Sequence, residues 1–122
     1  MRLNKLQKTA VTALEDIKAR DITLLDVRKL TSLYDTLIVA SAESARQVKA
    51  LARHVRDRLK DAGATIIGVE GEESGEWVLV DAGTIVVHVM QPTVRAYYNL
   101  EELWTPPTPK RRTSAKVAAQ AA

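Results

Sequence analysis

The sequence predicts an α/β domain of the α+β type, a single domain built on one mixed sheet of about five strands with helices packed mainly on one face. Two stretches repeat apolar residues at helical spacing, Leu6 to Ile17 and Val48 to Leu59. Several short runs rich in β-branched residues follow the first helix and flank the second, so strands and helices share one core.

From Asn4, a candidate N-cap, Leu6, Ala10, Ala13, Leu14 and Ile17 lie on one helix face, with Lys5, Lys8, Glu15 and Lys18 outside it. Ile22 to Val27 and Thr36 to Ala40 read as strands separated by a polar segment. Ser44 can cap a second helix whose inner face is Val48, Leu51, Ala52, Val55 and Leu59, ended by Gly63. Thr65 to Val69 resumes the strand pattern. Pro92 opens a short helix at its first turn, and Asn99 with Glu102 resembles a second start, capping Leu100 to Trp104. The expected order is α-β-β-α-β-β-β-α, with no internal repeat.

Between these elements, Gly75 to Met90 reads GEWVLVDAGTIVVHVM and predicts a hairpin. With Ala82-Gly83 as a two-residue loop, Val78 and Val80 share one face with Ile85, Val87 and Val89. Trp77, Leu79 and Asp81 share the other with Val86, His88 and Met90. The aliphatic face suits the two long helices. The mixed face has two readings: a thinly covered patch for a protein partner, or core in which Trp77 packs under the last helix and His88 is a satisfied structural histidine.

A chain of 122 residues, 46% apolar and 27% charged, can bury a real core. No apolar run approaches the roughly 18 to 20 residues that span a bilayer, and Met1 to Lys5 has no signal-peptide core. With no cysteine, disulfides and thiolate metal sites are excluded, and the expected compartment is the cytoplasm. Four of the positive charges, Lys110, Arg111, Arg112 and Lys116, stand in a segment without acids; taking them from the net +3 leaves −1. The expected domain therefore spans 1–104 and is nearly neutral. Residues 105–122, opened by Thr105-Pro-Pro-Thr-Pro, read as a basic, disordered tail whose role is open.

The stretch GVEGEESGEWVLVDAGTIVVHVMQPTVRAYYNLEELW, Gly68 to Trp104, resembles the ribosomal silencing factor family, RsfS, also called the Iojap family. Leu25-Asp26-Val27, Thr31 to Ala40 and Ser44 to Leu59 fit as well, so the resemblance covers residues 3–104. It implies a nucleotidyltransferase-like fold that binds the large ribosomal subunit through the subunit-interface ribosomal protein numbered fourteen. Bound there, such a protein blocks joining of the small subunit and represses translation. Carried over position by position, the partner-facing residues are Trp77, Asp81, His88, Met90, Arg95, Tyr98 and Glu101. Glu70 matches too, as a contact or as an acid that shapes its loop. Because Val94, Tyr97 and Leu100 lie along one side of the Pro92 helix and Arg95 and Tyr98 along another, Tyr97 is expected in the core and Tyr98 at the contact. Whether the free chain forms a homodimer is open.

Two rivals come from other classes. Two-metal nucleotidyl transfer needs clustered carboxylates, yet Ser32-Leu33-Tyr34-Asp35-Thr36-Leu37 offers one acid where two are required. No phosphate-binding glycine loop, HExxH pair or nucleophile elbow is present, and the only histidines are His54 and His88. The expectation is no enzyme, no catalytic or metal-binding residue and no cofactor. The second rival is an RNA-binding accessory factor in large-subunit assembly, for which Arg46, Lys49, Arg53, Arg56 and Lys60 lie off the apolar stripe of their helix. Asp57 and Asp61 interrupt that face, and no aromatic RNA-binding sheet or GxxG clamp exists, so rRNA enters as a secondary contact.

Overall fold

A computed structural model describes residues 3–103 of the chain; Trp104 and the segment 105–122, with the expected tail, lie outside the described residues. The elements run α1 (Lys5–Asp16), β1 (Arg20–Asp26), β2 (Thr36–Ser41), α2 (Ala45–Asp61), β3 (Gly68–Glu70), β4 (Trp77–Asp81), β5 (Ile85–Met90), α3 (Pro92–Tyr98) and α4 (Leu100–Leu103). The sheet order is β1-β2-β5-β4-β3, with β2 and β5 parallel and the other neighbours antiparallel. The domain is α+β with a mixed five-stranded sheet.

Both long helices begin as their sequences require. The Asn4 side chain accepts from the Gln7 amide at 2.8 Å while the Gln7 side chain accepts from the Asn4 amide at 2.9 Å, so two orphan donors of the first turn are satisfied together. Gln7 also donates to the buried Thr36 hydroxyl at 2.8 Å, tying α1 to β2. Ser44 caps α2 through the Gln47 amide at 3.1 Å. At the far end Gly63 takes φ 102°, a left-handed turn that only glycine adopts without strain.

The hairpin keeps the expected parity with its loop one residue later. Ala82 donates to the Ile85 carbonyl at 2.9 Å, so Gly83-Thr84 forms the turn, and Val80 pairs with Val87 and Leu79 with His88. Gly83 supplies the positive φ of 87° that this turn needs and Ala82 could not easily adopt. Val78, Val80, Ile85, Val87 and Val89 pack with the stripes of α1 and α2 in one cluster. β3 begins three residues after the expected Thr65, at Gly68, because it is an edge strand whose partner β4 runs out at Asp81.

The second sheet face is not bare. The short helices cover it, and Val94 and Leu100 pack on a cluster of Leu25, Val27, Leu37, Val39, Val86 and Met90.

Candidate functional site: an aromatic ridge on the hairpin face

Parity places Trp77 and His88 on this second face, and the hairpin register makes them diagonal neighbours. Trp77 Nε1 donates to His88 Nδ1 at 2.9 Å. The indole lies with its centroid 5.0 Å from the Tyr98 ring and 5.8 Å from the imidazole, each tilted at 47°. Tyr98 in turn meets Tyr97 edge-on at 4.9 Å, a geometry that sets a positive ring edge against a negative ring face. The three rings form a continuous ridge. It rises outward from half-buried Trp77 through Tyr98, 52% exposed, to Tyr97, 80% exposed.

Beside the ridge lies a surface recess of about 260 Å³ lined by Glu70, Gly71, Trp77 and Leu79. The loop is held close here. Gly71 has φ 90°, and a Cβ on it would collide with the Trp77 carbonyl, so the position requires glycine on two grounds. Glu70 is exposed at the rim, opposite Leu79 in the register.

Arg95 is bound within the protein. Its Nη1 donates to the Asp21 carbonyl at 2.7 Å and the Ser41 hydroxyl at 2.8 Å; Nη2 donates to Thr23 Oγ1 at 3.0 Å and Glu101 Oε2 at 2.8 Å; Nε reaches Glu101 Oε1 at 3.3 Å. All five guanidinium N–H groups are used. The Asp21 carbonyl is aimed at it by a register irregularity in β1, where Asp21 takes φ 50°. Arg95 and Glu101 thereby clamp α3 and α4 to the β1–β2 edge and fix where the two tyrosines stand.

Of the residues the sequence reading put at a contact, Trp77, Tyr98 and Glu70 gather around the ridge and recess. Asp81 is half-buried and its Oδ1 accepts from the Gly83 amide at 3.0 Å, shaping the hairpin turn. His88 is partly buried with its Nδ1 accepting from Trp77, and burial lowers its pKa to about 4, so its ring is neutral at physiological pH. Met90 is fully buried and has no surface to offer a partner, because α3 and α4 close over the sheet at its position. Glu101 is 8% exposed and Arg95 is saturated, so both support the ridge from behind.

The expectation for Tyr97 is overturned, for Leu100 belongs to the second helix start that Asn99 marks and not to the Pro92 helix. Asn99 takes the left-handed φ of 47° and ends α3, so Val94 and Leu100 reach the core from two separate helices and Tyr97 turns outward. Leu79 and Tyr97 are surface residues the sequence reading left out. Parity already put Leu79 on this face; for Tyr97, only the helix-terminating tendency of Asn99 carried a signal.

Fold and site together define a class: an α+β domain with an exposed aromatic ridge and, among the described residues, no group of three or more histidine, aspartate or glutamate side chains placed to hold a metal ion. The family model described as ribosomal silencing factor during starvation, RsfS, matches residues 1–122, and the chain belongs to that family. It is 60% identical over 104 residues to the ribosomal silencing factor RsfS of Chromobacterium violaceum, covering 85% of each chain, and 38% identical to that of Bacillus subtilis, covering 85% of this chain and 88% of the other. A crystal structure of a Chromobacterium violaceum protein superposes with a TM-score of 0.82 at 56% identity, covering 94% of this chain and 96% of that one. More distant is a mouse protein named mitochondrial assembly of ribosomal large subunit protein 1, 32% identical over 98 residues, covering 78% of this chain and 43% of its own length.

Proposed function

We propose that this chain silences ribosomes by occlusion: it binds the large subunit in the cytoplasm through the interface ribosomal protein numbered fourteen and keeps the small subunit from joining. The ridge Tyr97–Tyr98–Trp77 carries this reading. Aromatic side chains standing in the open, on a face otherwise closed by helices, have the composition and placement of interface anchors. Family membership supports the ribosome as the target, and the mouse relative's name points to the large subunit.

The reading needs no catalysis. Asp35 is exposed beside Tyr34, and the neighbouring strand offers Leu37, buried in the core, where a metal-dependent transferase would need a second acid. A domain of this length has a radius of gyration of about 14 Å, bulky enough to hold an opposing surface away.

The mouse relative's name also favours a second reading, an accessory role in assembling the large subunit. Binding to isolated large subunits, small subunits and naked rRNA tests both. Retention by mature large subunits alone is expected; retention only by incomplete particles or by rRNA would replace the first reading with the second.

A further inference from the structure

On the opposite side of the molecule, α2 carries five cations at positions 46, 49, 53, 56 and 60. Steps of three and four residues keep Arg46, Lys49, Arg53, Arg56 and Lys60 within an arc of about 80°, in a row about 21 Å long. Arg46, Arg53 and Lys60 are exposed, and Lys49 and Arg56 are partly so. Among the described residues, Arg56 pairs with Asp57 at 3.0 Å and the other four have no ion-pair partner. The flank of α2 that faces α1 is different, since Arg58 stands 3.6 Å from Asp16 and His54 3.0 Å from it.

Like charges three and four residues apart repel along a helix. The helix tolerates that repulsion along one flank while pairing Arg58 with Asp16 on the other. Asp57 and Asp61, read from the sequence as interrupting this face, fall just outside the arc of about 80° at about 100° per residue, so they border the row, and only Arg56 is paired with one of them. We infer that this stripe is a binding surface for the sugar-phosphate backbone of structured RNA, separate from the aromatic ridge.

Three arguments favour RNA. A straight row of cations matches a linear polyanion, whose phosphates release counterions when neutralised. Insertion into a membrane surface would need exposed apolar residues beside the cations, whereas the apolar face of α2 is buried against the sheet. The stripe also lacks aromatic side chains, so it has no stacking platform for single-stranded bases and is suited to a duplex read by its backbone. Because α2 and the ridge lie on opposite sheet faces, both can be occupied at once, and their affinities would reinforce one another.

The test uses the full chain and no ribosome, so its failure is distinct from failure of the silencing reading. Anisotropy with an arbitrary RNA duplex of about 20 base pairs is measured between 50 and 200 mM salt for the wild type, R46Q/R53Q/K60Q and K5Q/K8Q/K18Q, the last removing equal charge from α1 and the turn that follows it. The stripe variant should bind at least about tenfold more weakly at the lowest salt, with the slope of log affinity against log salt reduced by about 2 to 3. The α1 variant should change less than about threefold. Equal losses would reduce the effect to net charge, and an unchanged stripe variant would remove the site. If the stripe variant lost binding to poly-glutamate by the same factor as to RNA, the surface would be a general acid receptor and the RNA assignment wrong.

Discussion

The Trp77 indole donates to Nδ1 of His88 across the hairpin at 2.9 Å, and this one bond dictates the state of the histidine. Nδ1 must be free of its proton to accept, so the neutral ring carries hydrogen on Nε2. Protonation would set one donor against another.

A pH dependence follows. Burial lowers the His88 pKa from 6.5 to about 4, so between these values the unfolded chain binds more protons and stability rises with pH. The contribution is complete above about pH 6.5, is lost as pH falls toward 4, and is at most on the order of 3 kcal/mol. Urea midpoints at pH 7 and 4.5 should converge for His88→Gln relative to the wild type. Parallel pH dependence in both proteins would show that His88 does not titrate across this window.

Arg95→Ala should lower stability by about 3 kcal/mol, since it leaves Glu101 buried without its cation. Arg95→Lys should recover only part of the loss, because an ammonium group cannot reproduce a five-donor fork. Combining Arg95→Ala with Glu101→Gln should cost less than the sum of the two. Additive losses in chemical denaturation would mean that the pair is not the clamp.

Tyr97→Ala, Tyr98→Ala and Trp77→Ala should each weaken large-subunit binding, with losses of about 2 kcal/mol, or thirtyfold, at the strongest anchors. Tyr97→Ala separates the two placements of that residue most sharply. At 80% exposure its removal should shift unfolding by less than about 0.5 kcal/mol, whereas a core tyrosine would cost several times more. Co-sedimentation and urea melts of the same preparations read both quantities.

What was legible in the sequence was what periodicity alone decides. The stripes of α1 and α2, the caps at Asn4 and Ser44, and the two faces of the hairpin follow from spacing and side-chain type. The turn was misplaced by one residue, since Ala82-Gly83 and Gly83-Thr84 leave the same residues on each face. The site was less legible because it depends on how short elements close over the sheet. The spacing of Val94, Tyr97 and Leu100 is counted across Asn99, although Asn99 with Glu102 already marks a second helix start, so it misplaces Tyr97. Nor does one arginine reveal that five acceptors, from four residues on β1, β2 and α4, converge on it.

Val87→Asp should abolish folding, because Val87 is fully buried between the sheet and the long helices, where a carboxylate finds neither water nor a cation. Circular dichroism and gel filtration of the variant check this. A folded, monodisperse protein would contradict the face assignment on which the ridge depends.

Occlusion is tested most directly by mixing separated ribosomal subunits with excess magnesium, without nucleotide, and measuring the yield of joined ribosomes in a sucrose gradient as this protein is added. The yield should fall and saturate near one copy per large subunit, Tyr98→Ala should shift the titration to higher concentration, and preformed joined ribosomes should resist. A requirement for nucleotide, inhibition at substoichiometric protein, or full joining with the protein bound to every large subunit would contradict the account.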